Sequence, residues 1–330
     1  MSSLTDFDTG PDTGAAKLVN LQVSNWKFRT ASVSQEWNSI AWNGTLFAAC
    51  SATGSGTRIM TSPDGITWTT RSTPADRSWN GIAWNGTVFA AVCSTGTGNR
   101  AMTSPDGITW TSRATPADNA WNAVAWNGTV FAAVARSGTG NRVMTSPDGT
   151  TWTIRTSAAD NYWSAISWNG TVFAAVADGG TYRVMTSPDG ITWTGRTAAT
   201  ANGWNAIGWN GTVFAALSNT GTGNRAMTSP DGITWTSRTS ASDSSWVGIA
   251  WNGTVFVAIG SDAMMTSPDG ITWTSRSLST TSSTTYWKEI AWNGLGTGTT
   301  LLLPAAGTGS VFAAVSYNGT AMTSLFLKDE

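Results

Sequence analysis

The sequence predicts an all-β fold, a seven-bladed β-propeller with four antiparallel strands per blade. Three observations lead there. Trp-Asn-Gly begins at Trp42, Trp84, Trp126, Trp168, Trp209, Trp251 and Trp292, at spacings of 41 or 42 residues. Met-Thr-Ser and Trp-x-x-Arg each recur seven times on the same grid, and all 21 tryptophans belong to it. A period of 40 to 45 residues made of short strands is that of propeller blades, which bury their faces only against each other.

Composition agrees. Charged residues make up 11% of the chain, against 36 glycines and 21 tryptophans. Such a chain has little with which to solvate helices and much with which to build strands and turns. The net charge of −1 gives no basic field for nucleic acid. The polar N-terminus resembles no signal peptide, and no apolar run is long enough for a membrane helix. Folding in a cytoplasm, with no membrane insertion, is expected.

One repeat reads as four strands. Strand a is expected over Trp121–Trp126 and ends at Asn127-Gly128, a two-residue hairpin signal. Strand b is expected over Thr129–Ala135, strand c over Arg142–Ser146 and strand d over Thr151–Arg155. Between c and d, Ser146-Pro147-Asp148-Gly149 reads as a type I turn. Blades narrow towards the axis, so inner strands need small residues such as Ala123, Ala125, Ala132 and Ala133. The first and last repeats are incomplete in complementary ways. The chain enters on a strand d (Trp26 to Arg29) and leaves after a strand c (Met322 to Ser324), so the N-terminal strand should complete the last blade.

Ser146-Pro147-Asp148-Gly149-Thr150-Thr151-Trp152 and its equivalents resemble the Asp-box of sialidase-like propellers, one residue shorter. The resemblance implies a structural turn; the arginine cluster, tyrosine nucleophile and acidic groups of sialidase chemistry have no counterpart constellation here. The short Trp-rich repeats are also similar to those of phage virion proteins and uncharacterised bacterial proteins. That resemblance implies a virion location, in a tail or fibre component assembled in the cytoplasm of a bacterial host.

Chemistry-bearing residues are mostly absorbed by the repeat. There is no histidine, which removes the usual general base and most zinc sites. Asp64, Asp106, Asp148, Asp189, Asp231 and Asp269 occupy the turn. Asp76, Asp118, Asp160 and Asp243 either cap loops or bind calcium. Arg71 and its equivalents end the outer strand, where a charge blunts the edge and can pair with a nearby aspartate. The three glutamates read as scattered, and Cys50 and Cys93 as small core residues. No catalytic residue, metal or cofactor is assigned, and the chain is expected not to be an enzyme.

Binding is expected on the loop-bearing face. There the first Trp of strand a (Trp37, Trp79, Trp121, Trp163, Trp204, Trp246 and Trp287) either stacks on host surface glycans or wedges neighbouring blades apart. Two segments break the repeat and are expected to contact other virion proteins. One is an N-terminal arm, residues 1–24, which contains Phe7. The other is a blade-seven insertion at about 295–309, within a propeller domain expected over 25–330. Its run Leu301-Leu302-Leu303-Pro304 either meets a partner or covers the closure seam. The leading functional expectation is a virion interaction or receptor-recognition disc. A multivalent bacterial lectin is the alternative and a propeller glycosidase the third.

Overall fold

A computed structural model describes residues 26–29, 31–276, 287–293, 310–316 and 322–327. It contains seven four-stranded antiparallel sheets. Six blades, not seven, are made from a single stretch of chain. Their strands run from Trp37 to Arg71, Trp79 to Arg113, Trp121 to Arg155, Trp163 to Arg196, Trp204 to Arg238 and Trp246 to Arg276. The remaining sheet is a composite of both ends of the sequence, with Trp26–Arg29 pairing antiparallel beside Met322–Leu327, followed by Ser310–Ser316 and Trp287–Trp292. Neighbouring innermost strands pack side by side around an axis, and Trp287–Trp292 lies against Trp37–Trp42 to complete the circle. The arm with Phe7 and the insertion with Leu301, Leu302, Leu303 and Pro304 lie outside the described residues.

The core sits between blades. Blade three shows the pattern: Ala90, Val92 and Ala101 of blade two close over Trp121, Phe131, Met144 and Trp152 of blade three. Small residues on one blade face thus receive large ones from the next, as a wedge requires. Within a blade, Phe131 stands between Trp126 and Trp152, with ring centroids 4.8 and 6.3 Å away. The first Trp of strand a is inside this interblade layer in every blade. Trp37, Trp79, Trp121, Trp163, Trp204 and Trp246 have no solvent exposure, and Trp287 has 3%.

Strand a matches its expected limits, Trp121–Trp126, but the other strands of blade three are shorter than expected. Strand b is Phe131–Ala135, because the Asn127 side-chain carbonyl accepts from the Thr129 N–H, the Thr129 hydroxyl and the Val130 N–H. Those bonds hold residues 127–130 in a four-residue loop rather than a two-residue turn, with Gly128 at φ +98°. Strand d is Thr153–Arg155, because the Asp148 carboxylate takes the Thr150 and Thr151 N–H groups. Strand c is Val143–Ser146, with Arg142 left in the preceding loop.

The repeated charges do structural work. The turn aspartates each accept a hydrogen bond from the serine two residues earlier at 2.9–3.1 Å. Partial burial opposes ionisation of Asp148, but the N–H groups of Thr150 and Thr151 outweigh it and hold the carboxyl below its ordinary range. Asp76, Asp118, Asp160 and Asp243 cap the b–c loops, taking the N–H of Gly56, Gly98, Gly140 and Gly223 at 2.6–2.7 Å. Six of the outer-strand arginines are tied to a threonine, where the sequence also allows pairing with an aspartate. The Nε of Arg71, Arg113, Arg155, Arg196, Arg238 and Arg276 donates to a strand-c threonine hydroxyl at 2.8–2.9 Å, because the strand register sets that threonine diagonally opposite. Cys50 and Cys93 are free and buried.

Closure depends on a strand remote in sequence from its partners. Deleting residues 1–30 removes Trp26–Arg29 and exposes the edge of Met322–Leu327. The truncated protein should aggregate or elute as an opened, less heat-stable species on size exclusion and thermal melting. A soluble deletion variant that melts with the full chain would overturn this account of closure.

Candidate functional site

The innermost strands line an axial cavity of about 700 Å³. Its walls are the second, third and fourth residues of strand a, and its rim holds Glu36, Ala52, Arg136, Asp178, Asn219 and Ser245. The cavity exists because every strand a carries the same irregularity. Pairing with strand b shifts register between the first and third residues in all seven sheets. A bulge leaves one residue out of the ladder and re-aims its side chain. Here that residue is Asn38, Asn80, Asn122, Ser164, Asn205, Val247 or Lys288.

Some of these amides tie blade to blade. Asn38 Nδ2 donates to the Trp79 carbonyl at 3.2 Å and to Asn80 Oδ1 at 3.1 Å. Asn80 Nδ2 donates to the Trp121 carbonyl at 3.0 Å, and Asn122 Nδ2 to the Ser164 carbonyl at 2.6 Å. The third position is crowded: a Cβ added to Gly81 would lie 2.9 Å from the Ala123 Cα. Small residues (Ser39, Gly81, Ala123, Ala165, Ala206 and Gly248) therefore fill it in six blades.

The composite sheet departs from both patterns. Lys288 and Glu289 occupy the second and third positions and face the cavity. Burial pushes the Glu289 carboxyl up to about 8, with the Ile290 N–H at 3.3 Å opposing it weakly. The same confinement lowers Lys288, against the pull of Glu36. This pair went unnoticed in the sequence, where the glutamates read as scattered. The signal was present: Lys-Glu follows the strand-a Trp where other blades have Asn, Ser or Val and then a small residue.

The rim carries the second departure. The residue before strand a accepts a backbone hydrogen bond from the residue after strand b in six blades. The pairs are Ala52 to Glu36, Ser94 to Ser78, Arg136 to Ala120, Asp178 to Tyr162, Asn219 to Gly203 and Ser261 to Ser245, at 2.9–3.1 Å. The bond is constant while the side-chain pair changes from blade to blade, except that blades two and six both carry a pair of serines. Between blades three and four, Arg136 Nη2 meets Asp178 Oδ2 at 2.9 Å.

The glycan-stacking expectation for Trp37, Trp79, Trp121, Trp163, Trp204, Trp246 and Trp287 is corrected by their burial. Each indole is enclosed by the neighbouring blade, so no ring face is open to a sugar. Replacing Trp121 by Ala should accordingly cost about 3–5 kcal/mol of unfolding free energy, the range for emptying a buried aromatic site. Denaturant unfolding measures it, and a variant as stable as wild type would contradict an interblade role.

No protein-family model and no curated protein sequence matches the chain. Many solved structures share the fold. A streptogramin B lyase superposes with a TM-score of 0.72 at 10% identity, covering 92% of this chain and 98% of that one. A catalytically inactive variant of virginiamycin B lyase from Staphylococcus aureus, solved with quinupristin, gives 0.74 at 10% identity, covering 92% and 99%. YCF48 bound to D1 peptide gives 0.64 at 15% identity, covering 92% and 95%. At these identities the likeness shows the fold alone. It nonetheless overturns the expectation that the chain is not an enzyme. That expectation rested on the missing histidine and on aspartates and arginines absorbed by the repeat, yet lyases stand among the structures that share the fold. Lys288 and Glu289 break the equivalence of the blades.

The raised Glu289 group sets a pH dependence. Between its ordinary value of 4.5 and about 8, the folded chain keeps a proton that the unfolded chain releases. The resulting stability is complete below the lower value and lost as pH rises through the upper one. Glu289→Gln stays neutral throughout. It should match wild type near about pH 4 and exceed it near about pH 9 by on the order of 1–2 kcal/mol, less than full desolvation implies because water reaches the cavity. Parallel melting profiles for the two proteins would show that the carboxyl is not confined as described.

Proposed function

We propose that the chain is a recognition disc that takes up part of another molecule at the rim and mouth of its axial cavity. We read the ring as seven-bladed, with the composite sheet as its seventh blade; seven inner strands closing on one another support this. The observation that carries the function is the contrast at the rim, where one backbone hydrogen bond is kept in six blades while the side chains around it are varied. Constant bonds hold a frame, and varied side chains on that frame are what selective contact requires. Lys288 and Glu289 add the polar, partly desolvated groups that orient a ligand in such a pocket. Two of the similar structures support a binding reading, since one holds the D1 peptide and the other quinupristin.

The setting we propose is a phage virion, as a tail or fibre component, on the strength of the Trp-rich repeats and their Asp-box-like turns. Native protein should then co-sediment with particles from host lysate, and protein found wholly free would remove the virion setting. The binding reading is tested separately on glycan and peptide arrays. Wild type should bind at least one class, and Lys288→Ala should bind about tenfold or more weakly, which corresponds to the loss of one good polar contact. Ile108→Ser, on an exposed turn residue of the opposite face, should bind as wild type does. No binding on either array, or equal binding by Lys288→Ala, would refute the site.

A further inference from the structure

Tyr162 and Tyr182, both in blade four, are exposed aromatic rings, and Tyr162 is the one at the rim position. The repeat buries the tryptophan beside it completely, yet Tyr162 itself is 56% exposed. It occupies the rim position before strand a, and its flanking equivalents are Ala120 and Gly203. The ring therefore rises from a rim whose flanking positions are small, with the Arg136 and Arg142 guanidinium groups beside it. Its carbonyl is fixed by the Asp178 N–H at 3.1 Å and by the Ser164 hydroxyl at 3.2 Å, so the ring projects from a rigid base.

Polar groups are arranged around it. Asp178, bonded to the Tyr162 backbone, also receives Arg136 Nη2 at 2.9 Å from the adjacent blade. The Arg136 and Arg142 guanidinium carbons lie 5.9 and 5.8 Å from the Tyr162 ring centroid. Arg142 is fully engaged in its loop, donating to the carbonyls of Gly138, Arg136 and Asn161. Arg136 and Asp178 are different: both line the cavity and keep 39% and 29% of their side chains exposed.

We propose that Tyr162, Arg136 and Asp178 form a subsite for a neutral pyranose ring at the cavity mouth. The proposal rests on the recognition reading and names its ligand class. An exposed aromatic face matches the C–H face of a pyranose, which buries apolar surface without leaving a polar atom unpaired. The adjacent ion pair presents a donor and an acceptor side by side, as two neighbouring sugar hydroxyls require. The charge arrangement selects among other ligands for an aromatic ring. Arg136 and Arg142 are paired with Asp178 and Asp160, so the groups beside the ring give a cationic ligand no net attraction. An anionic ligand would meet the Asp178 carboxylate, and Glu36 on the same rim. The paired Arg136 and Asp178 carry no net charge, which suits an uncharged, hydroxyl-rich partner.

Saturation-transfer NMR with the methyl pyranosides of glucose, galactose and mannose tests the proposal on the full chain. Saturation should reach the ring protons of at least one pyranoside. The effect should fall about tenfold or more in Tyr162→Ala, stay within about twofold in Tyr162→Phe, and weaken severalfold in Asp178→Ala, since stacking needs the ring and selection needs the carboxylate. Near-UV circular dichroism of each variant, expected to be unchanged at so exposed a residue, separates lost binding from lost folding. No transfer to any pyranoside, or transfer undiminished in Tyr162→Ala, would overturn the sugar subsite. If peptides bind in a Lys288-dependent manner while no pyranoside does, the sugar assignment alone falls. If neither class binds, the recognition reading falls with it.

Discussion

Everything in this ring depends on the burial of one tryptophan per blade against the small residues of its neighbour. Trp121 is enclosed only because Ala90, Val92 and Ala101 of blade two leave room for it. No blade can satisfy that contact within itself, so each sheet is stable only when the next is in place. The same need reaches round to the composite sheet, whose Trp287 and Phe312 lie with Val257 and Ile259 of blade six. Closure by Trp26–Arg29 then completes the hydrogen bonding of that last sheet. A propeller built this way gains its cooperativity from interfaces rather than from any single core.

This demand for equivalence explains why the site sits where it does. Interblade positions cannot vary, because a changed volume on one blade is felt by its neighbour. Turn positions cannot vary either, since Asp148 and its equivalents hold the N–H groups that would otherwise have no partner. The rim is released from both constraints. Its backbone bond, such as Asp178 N–H to the Tyr162 carbonyl, is made whatever side chains are attached. The bulged second position of strand a is released too, because its side chain leaves the sheet and enters the cavity. Variation collects at these two places, and they adjoin one another.

The scaffold was largely legible in the sequence. Period, tryptophan grid and complementary ends gave the repeating four-stranded unit and the pairing of the N-terminal strand. Strand limits were less legible where a side chain competed with the ladder, as Asn127 does for Thr129 and Val130. The candidate site was hardly legible, for two physical reasons. A tryptophan at the end of a strand looks the same in a sequence whether it faces solvent or a neighbouring blade, and packing decided for the neighbour. The bulge is a property of strand pairing, so nothing in Trp-Lys-Glu-Ile by itself says that Lys288 and Glu289 face a cavity. Aligning the repeats and asking where one blade departs would have found both, along with Tyr162.

Departures of this kind carry more information when they oppose stability. Lys288 and Glu289 replace an amide and a small residue at a crowded interface, and confinement there pushes the Glu289 carboxyl up. A repeat that supplies six tested alternatives at the same position offers an easy return to Asn and Ala. The blade nonetheless holds the costlier pair at the seam where the composite sheet meets blade one. The fold tolerates this because the loss is confined to one of seven interfaces, while the others keep their full complement of buried tryptophan and alanine. A ring of near-identical blades can therefore concentrate chemistry in one of them without weakening the rest. This is the reason the proposed ligand contact is placed at the residues that break the repeat at a cost rather than at those that perfect it.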